Sequence, residues 1–286
     1  MILTSPPFPL RAKKAYGNLV GEEYLQWLSE IAVSVSELLR PDGSLVIEIG
    51  NAWEPGIPAM STLPLRALLA IADATGFHVC QQFICHNPSR LPGPAQWVTV
   101  NRLRATDSFT HVWWLAKDPW VPADNRRILV DYSKGMKRLL ERGRYNAGHR
   151  PSDHHINETS FLKDNGGAIP PNVLAFANTS DDSTYVKWCR YLEMRPHPAR
   201  MPSTLAQFFI DFLTDEGDIV MDPFGGSLTT AAVAERSGRG WIATEPTEAY
   251  LVGGMGRFAG SGGLTAVNPP YTGSVRSLKL WNRSNA

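Results

Sequence analysis

The stretch Gly217-Asp218-Ile219-Val220-Met221-Asp222-Pro223-Phe224-Gly225-Gly226-Ser227 passes from a short apolar run into a proline-glycine turn, and an alanine- and threonine-rich run follows it. This order predicts a strand over 218–221, a tight turn and a helix over 227–236, an arrangement that brings backbone N–H groups at a helix N-terminus close to a ligand. Gly240–Thr244 predicts the next strand. Glu245 ends it, twenty residues after Gly225, where a carboxylate can accept both hydroxyl protons of a ribose. A dinucleotide-binding fold also puts an acid there, but its G-x-G-x-x-G spacing is missing. Asp222 at the strand end suits a cationic cofactor better than a phosphate.

Working outward, Glu22–Leu39 sets Tyr24, Trp27, Leu28, Ile31, Val35, Leu38 and Leu39 on one broad helical face, and Arg40-Pro41-Asp42-Gly43 stops it. Ser44–Ile49 (SLVIEI) predicts a buried strand of a parallel sheet, with Gly50-Asn51-Ala52-Trp53 as the loop after it. Leu63–Thr75 predicts a helix, Phe77–Cys85 a strand, and Phe109–Lys117 (FTHVWWLAK) a strand pairing antiparallel with it. From Asp118 to about Arg195 prolines, asparagines, glycines and charges prevail, with one basic helix over Ser133–Arg144. Ser203–Leu213 resumes helical amphipathy with Ser203 as N-cap, and Thr247–Phe258 predicts a last helix. The reading is an α/β domain carrying an inserted lobe: a first half over 1–117, the lobe over 118–195, a cofactor half over 196–258, and a loosely held Gly- and Ser-rich tail over 259–286.

At 286 residues and 43% hydrophobic content the chain can bury a full core without staples. Cys80, Cys85 and Cys189 are too few and too irregular for a disulfide framework or a four-ligand zinc site, so no metal is expected and a reducing, cytoplasmic setting fits best. No run of about 18 apolar residues argues for a membrane span, and Met1 leads straight into a polar motif rather than a charged-then-apolar leader, so a soluble, non-exported protein is expected. The net charge of +1 conceals an asymmetry. His86–Arg150 holds twelve Lys or Arg against five acids, whereas Thr204–Tyr250 holds eight acids against two Arg. A basic middle beside an acidic segment predicts a nucleic-acid face on one side only; charge alone leaves a solvated helix surface as the other reading.

At the other end of the chain, Ser5-Pro6-Pro7-Phe8 follows a short apolar strand. Two prolines supply no N–H donors and hold the backbone extended, leaving a carbonyl pointed outward as an acceptor. Cytosine N4 and adenine N6 are amino groups whose lone pairs are delocalised into the ring. Accepting their two protons at the Pro6 carbonyl and the Ser5 hydroxyl moves density back toward nitrogen for in-line attack on a sulfonium methyl. Phe8 offers a face on which an extruded base can stack. Taken together, the two ends predict methyl transfer from S-adenosylmethionine to an exocyclic nucleobase nitrogen. A ring-carbon route through cysteine is disfavoured, because no Pro-Cys dipeptide occurs.

TSPPF at 4–8, DGSLVIEIG, HVWWLAK, NPSRLPGPAQWV at 87–98, KDNGGAIPPNVL at 163–174, HPAR at 197–200 and DPFGGSLTT at 222–230 together resemble the amino-methylating DNA methyltransferases of the permuted class, in which the catalytic motif precedes the cofactor motif. Serine before Pro-Pro is similar to the N4-cytosine branch; adenine enzymes usually carry Asp or Asn there. The resemblance implies a Rossmann-like fold with a mixed seven-stranded sheet, and double-stranded DNA as substrate with a CAGCTG-like palindrome as target. It also implies a restriction-modification setting, with a cognate endonuclease acting on the same site without direct contact. Ser5, Pro6, Pro7 and Phe8 become the catalytic pocket. The cofactor cradle is Asp222, Pro223, Phe224, Gly225, Gly226, Ser227 and Glu245, and the helix opened by Pro202-Ser203-Thr204 covers the methionine carboxylate. Arg150, His154, His155, Lys163 and Asn165 in the lobe are candidates for DNA contact. His197 in HPAR reads as a packed, hydrogen-bonded residue rather than a base.

One departure bears on activity. In this class a strand and helix with an adenine-binding Gly-Asp-Ser-like segment precede the catalytic motif, yet only Met1-Ile2-Leu3 do so here, so an edge strand is expected to be missing. Ser274–Trp281 (SVRSLKLW) is the segment that could serve as a sheet edge, and Asn268-Pro269-Pro270-Tyr271 imitates a catalytic motif without a pocket to build on. Two alternatives follow: adenine-N6 methylation with the same geometry, or a catalytically weak DNA-binding remnant.

Overall fold

The computed structural model describes residues 1–8, 19–177 and 182–258, together with the backbone of 280–281. In chain order the elements are β1 (Ile2–Thr4), α1 (Gly21–Leu38), β2 (Ser44–Gly50), α2 (Leu63–Thr75), β3 (His78–His86), β4 (Phe109–Ala116), α3 (Lys134–Arg142), β5 (Gly148–His149), β6 (His155–Ile156), β7 (Val173–Ala175), α4 (Asp182–Tyr191), α5 (Ser203–Leu213), β8 (Ile219–Asp222), α6 (Thr229–Arg236), β9 (Gly240–Ala243), α7 (Glu248–Gly254) and β10 (Leu280–Trp281). They divide into two compact units, Asp124–Pro171 and the rest.

The larger unit is built on one mixed sheet, of eight strands among the described residues, in the order β10-β9-β8-β1-β2-β4-β3-β7. β1, β2, β8 and β9 run parallel, whereas β4 is antiparallel to both β2 and β3. The mixed sheet is the one expected. It exceeds seven strands because Val173–Ala175 pairs in parallel with β3 and Leu280–Trp281 closes the other edge against β9. The Leu280–Trp281 pairing also puts part of the 274–281 segment at a sheet edge; 274–279 and the Asn268–Tyr271 motif lie outside the described residues.

β2 is buried along its whole length because both faces of the sheet are covered. On one face Tyr24, Leu28, Ala32 and Val35 of α1 and Ala67 and Ile71 of α2 pack over Leu45, Ile47, Trp113 and Leu115. Across the sheet α5 brings Phe209 edge-on to Phe83, ring centres 5.0 Å apart, and Phe212 to Trp114 at 5.4 Å. Each such buried large apolar side chain contributes about 1.5–3 kcal/mol. No helix among the described residues is long and apolar enough to cross a membrane.

The register of β1 places the site. Ile2 pairs in parallel with Leu45 on one side and with Met221 on the other, so Thr4 and Asp222 reach the same edge of the sheet together. Ligands of open α/β sheets bind outside the carboxyl ends of such strands.

The smaller unit is narrower than the expected 118–195. Val173–Ala175 belongs to the sheet, and in α4 Tyr185 and Cys189 turn inward and are buried in the larger unit. α4 is a helix that the polar composition of 118–195 concealed. Within the smaller unit α3 is capped by the Ser133 hydroxyl, which accepts from Met136 N at 3.2 Å, and ends at Gly143 in the left-handed region. The hairpin β5–β6 brings the His149 and His155 rings to 5.2 Å.

Candidate active site

Leaving β1, Ser5, Pro6, Pro7 and Phe8 line a cleft of about 850 Å³ whose opposite wall is Asp222, Pro223, Phe224, Gly225, Gly226 and Ser227, with Glu245, His197 and Pro202 around it. The structure therefore brings the two ends of the sequence into one hollow. Phe8 lies across Gly50, where an added Cβ would sit 2.4 Å from its ring. That approach is open only to glycine. Gly50→Ala is expected to push the Phe8 ring out of place at a cost of about 1–3 kcal/mol, seen as a lower Tm together with reduced turnover. An alanine variant with wild-type Tm and turnover would show that the ring position is unimportant.

Beneath Ser5 lies Glu48, a residue that sequence reading passed over as part of a strand. Its Oε1 accepts from the Thr110 hydroxyl at 2.8 Å, and the Ser5 hydroxyl is its second partner. Burial pushes the Glu48 carboxyl above its ordinary range, and these two hydroxyls, with Arg90 beyond them, partly offset the rise. Burial likewise pushes the neighbouring Cys85 thiol up to about 12, so it stays protonated. A lone acid inside SLVIEI was the available signal.

The loop expected to cradle the cofactor differs from that expectation in how it uses its amides. Phe224 N donates to Asp222 Oδ1 (3.0 Å), Gly225 N to Thr244 O (2.8 Å), Gly226 N to Glu245 Oε2 (3.1 Å) and Leu228 N to Gly225 O (2.7 Å). These N–H groups hold the shape of the loop rather than face a ligand. What the loop presents instead is a surface without side chains at Gly225 and Gly226, Gly226 having φ +49° and the His197 ring 3.5 Å from its missing Cβ. Beside it stands an aromatic wall in which Phe224 meets Trp27 of α1 at 5.6 Å. α6 begins at Thr229, two residues later than expected, because Leu228 sits in the left-handed region at φ +59°.

Asp222 was expected to face a cation, and it does border the cleft. It is, however, nearly all buried and already accepts three hydrogen bonds, from Thr4 Oγ1 (2.8 Å), Phe224 N (3.0 Å) and Thr230 Oγ1 (2.8 Å). Burial raises its pKa from 3.8 to about 6 against the pull of those donors. A raised folded-state value means that the contribution of Asp222 to stability is full below about 3.8 and is lost as pH rises through about 6. Asp222→Asn should remove that loss, worth on the order of 3 kcal/mol. The gap in Tm between variant and wild type is expected to widen from pH 4 to pH 6 and then level off. A constant gap would contradict the assignment.

Glu245 accepts from Gly226 N and from Thr247 N, one bond on each oxygen, and each oxygen keeps a further acceptor direction. Pro202 caps α5 and lines the cleft, but Ser203 is the first helical residue rather than the cap and is buried. Thr204 is exposed, and neither Ser203 nor Thr204 lines the cleft. The reason is that Pro202 has extended backbone and its carbonyl already accepts from Leu205 N and Ala206 N. His197 is packed, as read: its N donates to Tyr185 Oη at 2.8 Å, its ring stands edge-on to Tyr250 at 4.4 Å, Nδ1 meets the Ala199 carbonyl, and burial lowers its pKa.

Arg150, His154, His155, Lys163 and Asn165 all fall in the smaller unit, and His154, His155, Lys163 and Asn165 are exposed. Arg150 is half-buried over the Tyr145 ring at 5.7 Å and donates to Asn146 O, so part of its fork is already used.

A mixed sheet with a glycine loop at one strand end and a Ser-Pro-Pro-Phe segment at the next, both lining one cleft, is the arrangement expected of a methyl-transferring site. The chain belongs to the DNA methylase family, whose model matches residues 1–252; it is a DNA methyltransferase, and its methyl donor is S-adenosylmethionine. It is 42% identical over 260 residues to the type II methyltransferase M.PvuII of Proteus hauseri, covering 90% of this chain and 77% of that protein. The solved PvuII DNA methyltransferase (cytosine-N4-specific) matches with a TM-score of 0.71 at 36% identity, over 90% of this chain and 78% of that one. A Thermus thermophilus structure complexed with S-adenosyl-L-methionine shares the fold, with a TM-score of 0.53 at 19% identity over 90% of this chain and 84% of that one.

Proposed function

We propose that the chain methylates N4 of cytosine within a CAGCTG-like palindrome of double-stranded DNA, on a base rotated out of the helix into the cleft. The observation that carries this reading is the Ser5 hydroxyl, held by Glu48 in the same hollow as the glycine loop. Because Ser5 donates to Glu48, its oxygen lone pairs are left to accept one N4 proton, and the Pro6 carbonyl accepts the other. Phe8 stacks on the base. The cofactor supplies an electrophilic methyl on a cationic sulfur. Phe224 and Trp27 suit its purine, the open acceptor directions of Glu245 its ribose hydroxyls, and the remaining edge of Asp222 its ammonium. Forming the bond from N4 to the methyl carbon would break the sulfur–methyl bond and leave its electron pair on a neutral thioether; the cationic N4 would then shed a proton, which Ser5 takes while passing its own to Glu48. Arg150, His154, His155, Lys163 and Asn165 contact the DNA, mostly at phosphates.

Similarity to a cytosine-N4-specific enzyme over most of the chain supports cytosine over adenine. Digesting plasmid methylated by the chain to nucleosides should yield N4-methylcytosine. N6-methyladenine alone would defeat the cytosine assignment, and no methylated nucleoside at all would favour the remnant reading. An endonuclease acting on the same site in the cytoplasm, without touching this chain, completes the proposal. Plasmid from cells expressing the chain should then resist cleavage at that hexanucleotide.

A further inference from the structure

We infer that Thr4 is a positioning residue for methyl transfer, setting the base pocket against the cofactor loop through Asp222. The inference rests on the methyl-transfer reading and adds to it a residue that touches neither substrate. Thr4 is the last residue of β1 and immediately precedes Ser5, while Asp222 is the last residue of β8 and immediately precedes the glycine loop. The Thr4 hydroxyl donates to Asp222 Oδ1 at 2.8 Å, a buried bond between residues 218 apart in sequence. Thr4 itself is 3% exposed.

The same Oδ1 accepts Phe224 N, the amide that starts the turn of the loop, and Oδ2 accepts Thr230 Oγ1 from α6. One carboxylate thus gathers a donor from the strand that carries Ser5, a donor from the loop that cradles the cofactor, and a donor from the helix behind it. Backbone pairing between β1 and β8 is brief at this point, with Ile2 opposite Met221 and Met221 N donating to Met1 O. Beyond that rung the two segments enter the opposite walls of the cleft, and among the described residues the Thr4–Asp222 bond links their side chains. Its length and angle fix where Ser5 lies relative to Phe224 and Gly225. In-line transfer demands a near-attack distance, and a misplacement of about 1 Å costs on the order of 10²-fold in rate.

The experiment compares wild type, Thr4→Val and Thr4→Ser in single-turnover methylation at saturating S-adenosylmethionine and DNA, alongside DNA Kd and Tm. Valine keeps the volume and β-branching and removes the donor; serine keeps the donor. Thr4→Val is expected to slow transfer at least about tenfold with DNA Kd little changed, and Thr4→Ser to restore the rate to within a few-fold. A Thr4→Val enzyme that transfers at the wild-type rate when saturated, whatever its Tm, overturns the inference, as does a Thr4→Ser enzyme as slow as Thr4→Val. Should Thr4→Val not fold, Thr4→Cys, a weaker donor of similar size, is expected to fall between wild type and a tenfold loss, and full activity there overturns the inference equally. If wild type itself transfers no methyl, the functional reading falls first and this one with it.

Discussion

Replacing Ser5 with alanine is expected to lower kcat by about 10²- to 10⁴-fold while DNA affinity stays within a few-fold of wild type. On the proposed chemistry the alanine removes the lone pairs that would accept an N4 proton, and with them the donor that Glu48 holds. The Pro6 carbonyl is then the one remaining acceptor for the amino group, so the nitrogen keeps its lone pair in the ring and attacks poorly. Binding of the duplex draws chiefly on phosphate contacts elsewhere and is spared. Single-turnover rates read against filter-binding affinities separate the two effects. Equal losses in both would make Ser5 a structural residue and remove the chemistry assigned to it.

Glu48→Gln is expected to act in opposite directions on activity and stability. The amide cannot take the proton that Ser5 relays, so turnover should fall about 10²-fold. Stability should rise at alkaline pH. The folded-state pKa of Glu48 lies above its unfolded value because of burial, so its contribution to stability is full below the unfolded pKa and lost as pH rises through the folded one. As pH rises wild type meets a growing cost for burying that charge, and the glutamine variant, which bears none, should melt higher by a margin that grows with pH. Acidification should close the gap. A variant that melts lower than wild type at pH 8, or one that keeps full turnover, would contradict the part given to Glu48.

The regular elements of the larger unit were legible because their periodicities were long and uninterrupted. Leu63–Thr75 and Ser203–Leu213 are helices over the predicted residues, and FTHVWWLAK pairs antiparallel with the preceding strand as expected. α4 was hidden because Tyr185, Trp188 and Cys189, three positions spaced as on one helical face, stand in a segment otherwise polar. β7 has three residues, too few for a period to register. At the site, the two walls of the cleft could be read from motif chemistry, but the employment of their atoms could not. Nothing in DPFGGS announces that its amides are spent on the loop itself and on Thr244 and Glu245, and nothing in TSPPF announces that Thr4 reaches a carboxylate 218 residues away. Such partnerships are written in the sheet order, which local sequence does not encode.

The place of β1 between β2 and β8 has a consequence for synthesis. Residues 2–4 leave the ribosome more than two hundred residues before 219–222, and until those are made one of their flanks finds no partner. During elongation the nascent chain must carry an apolar strand with an open hydrogen-bonding edge, the condition in which polypeptides cling to one another and call on chaperones. Closing so wide a loop is slow, and catalytic competence arrives with that closure rather than by degrees. A cell making this enzyme therefore gains its modifying capacity only from molecules translated past Asp222.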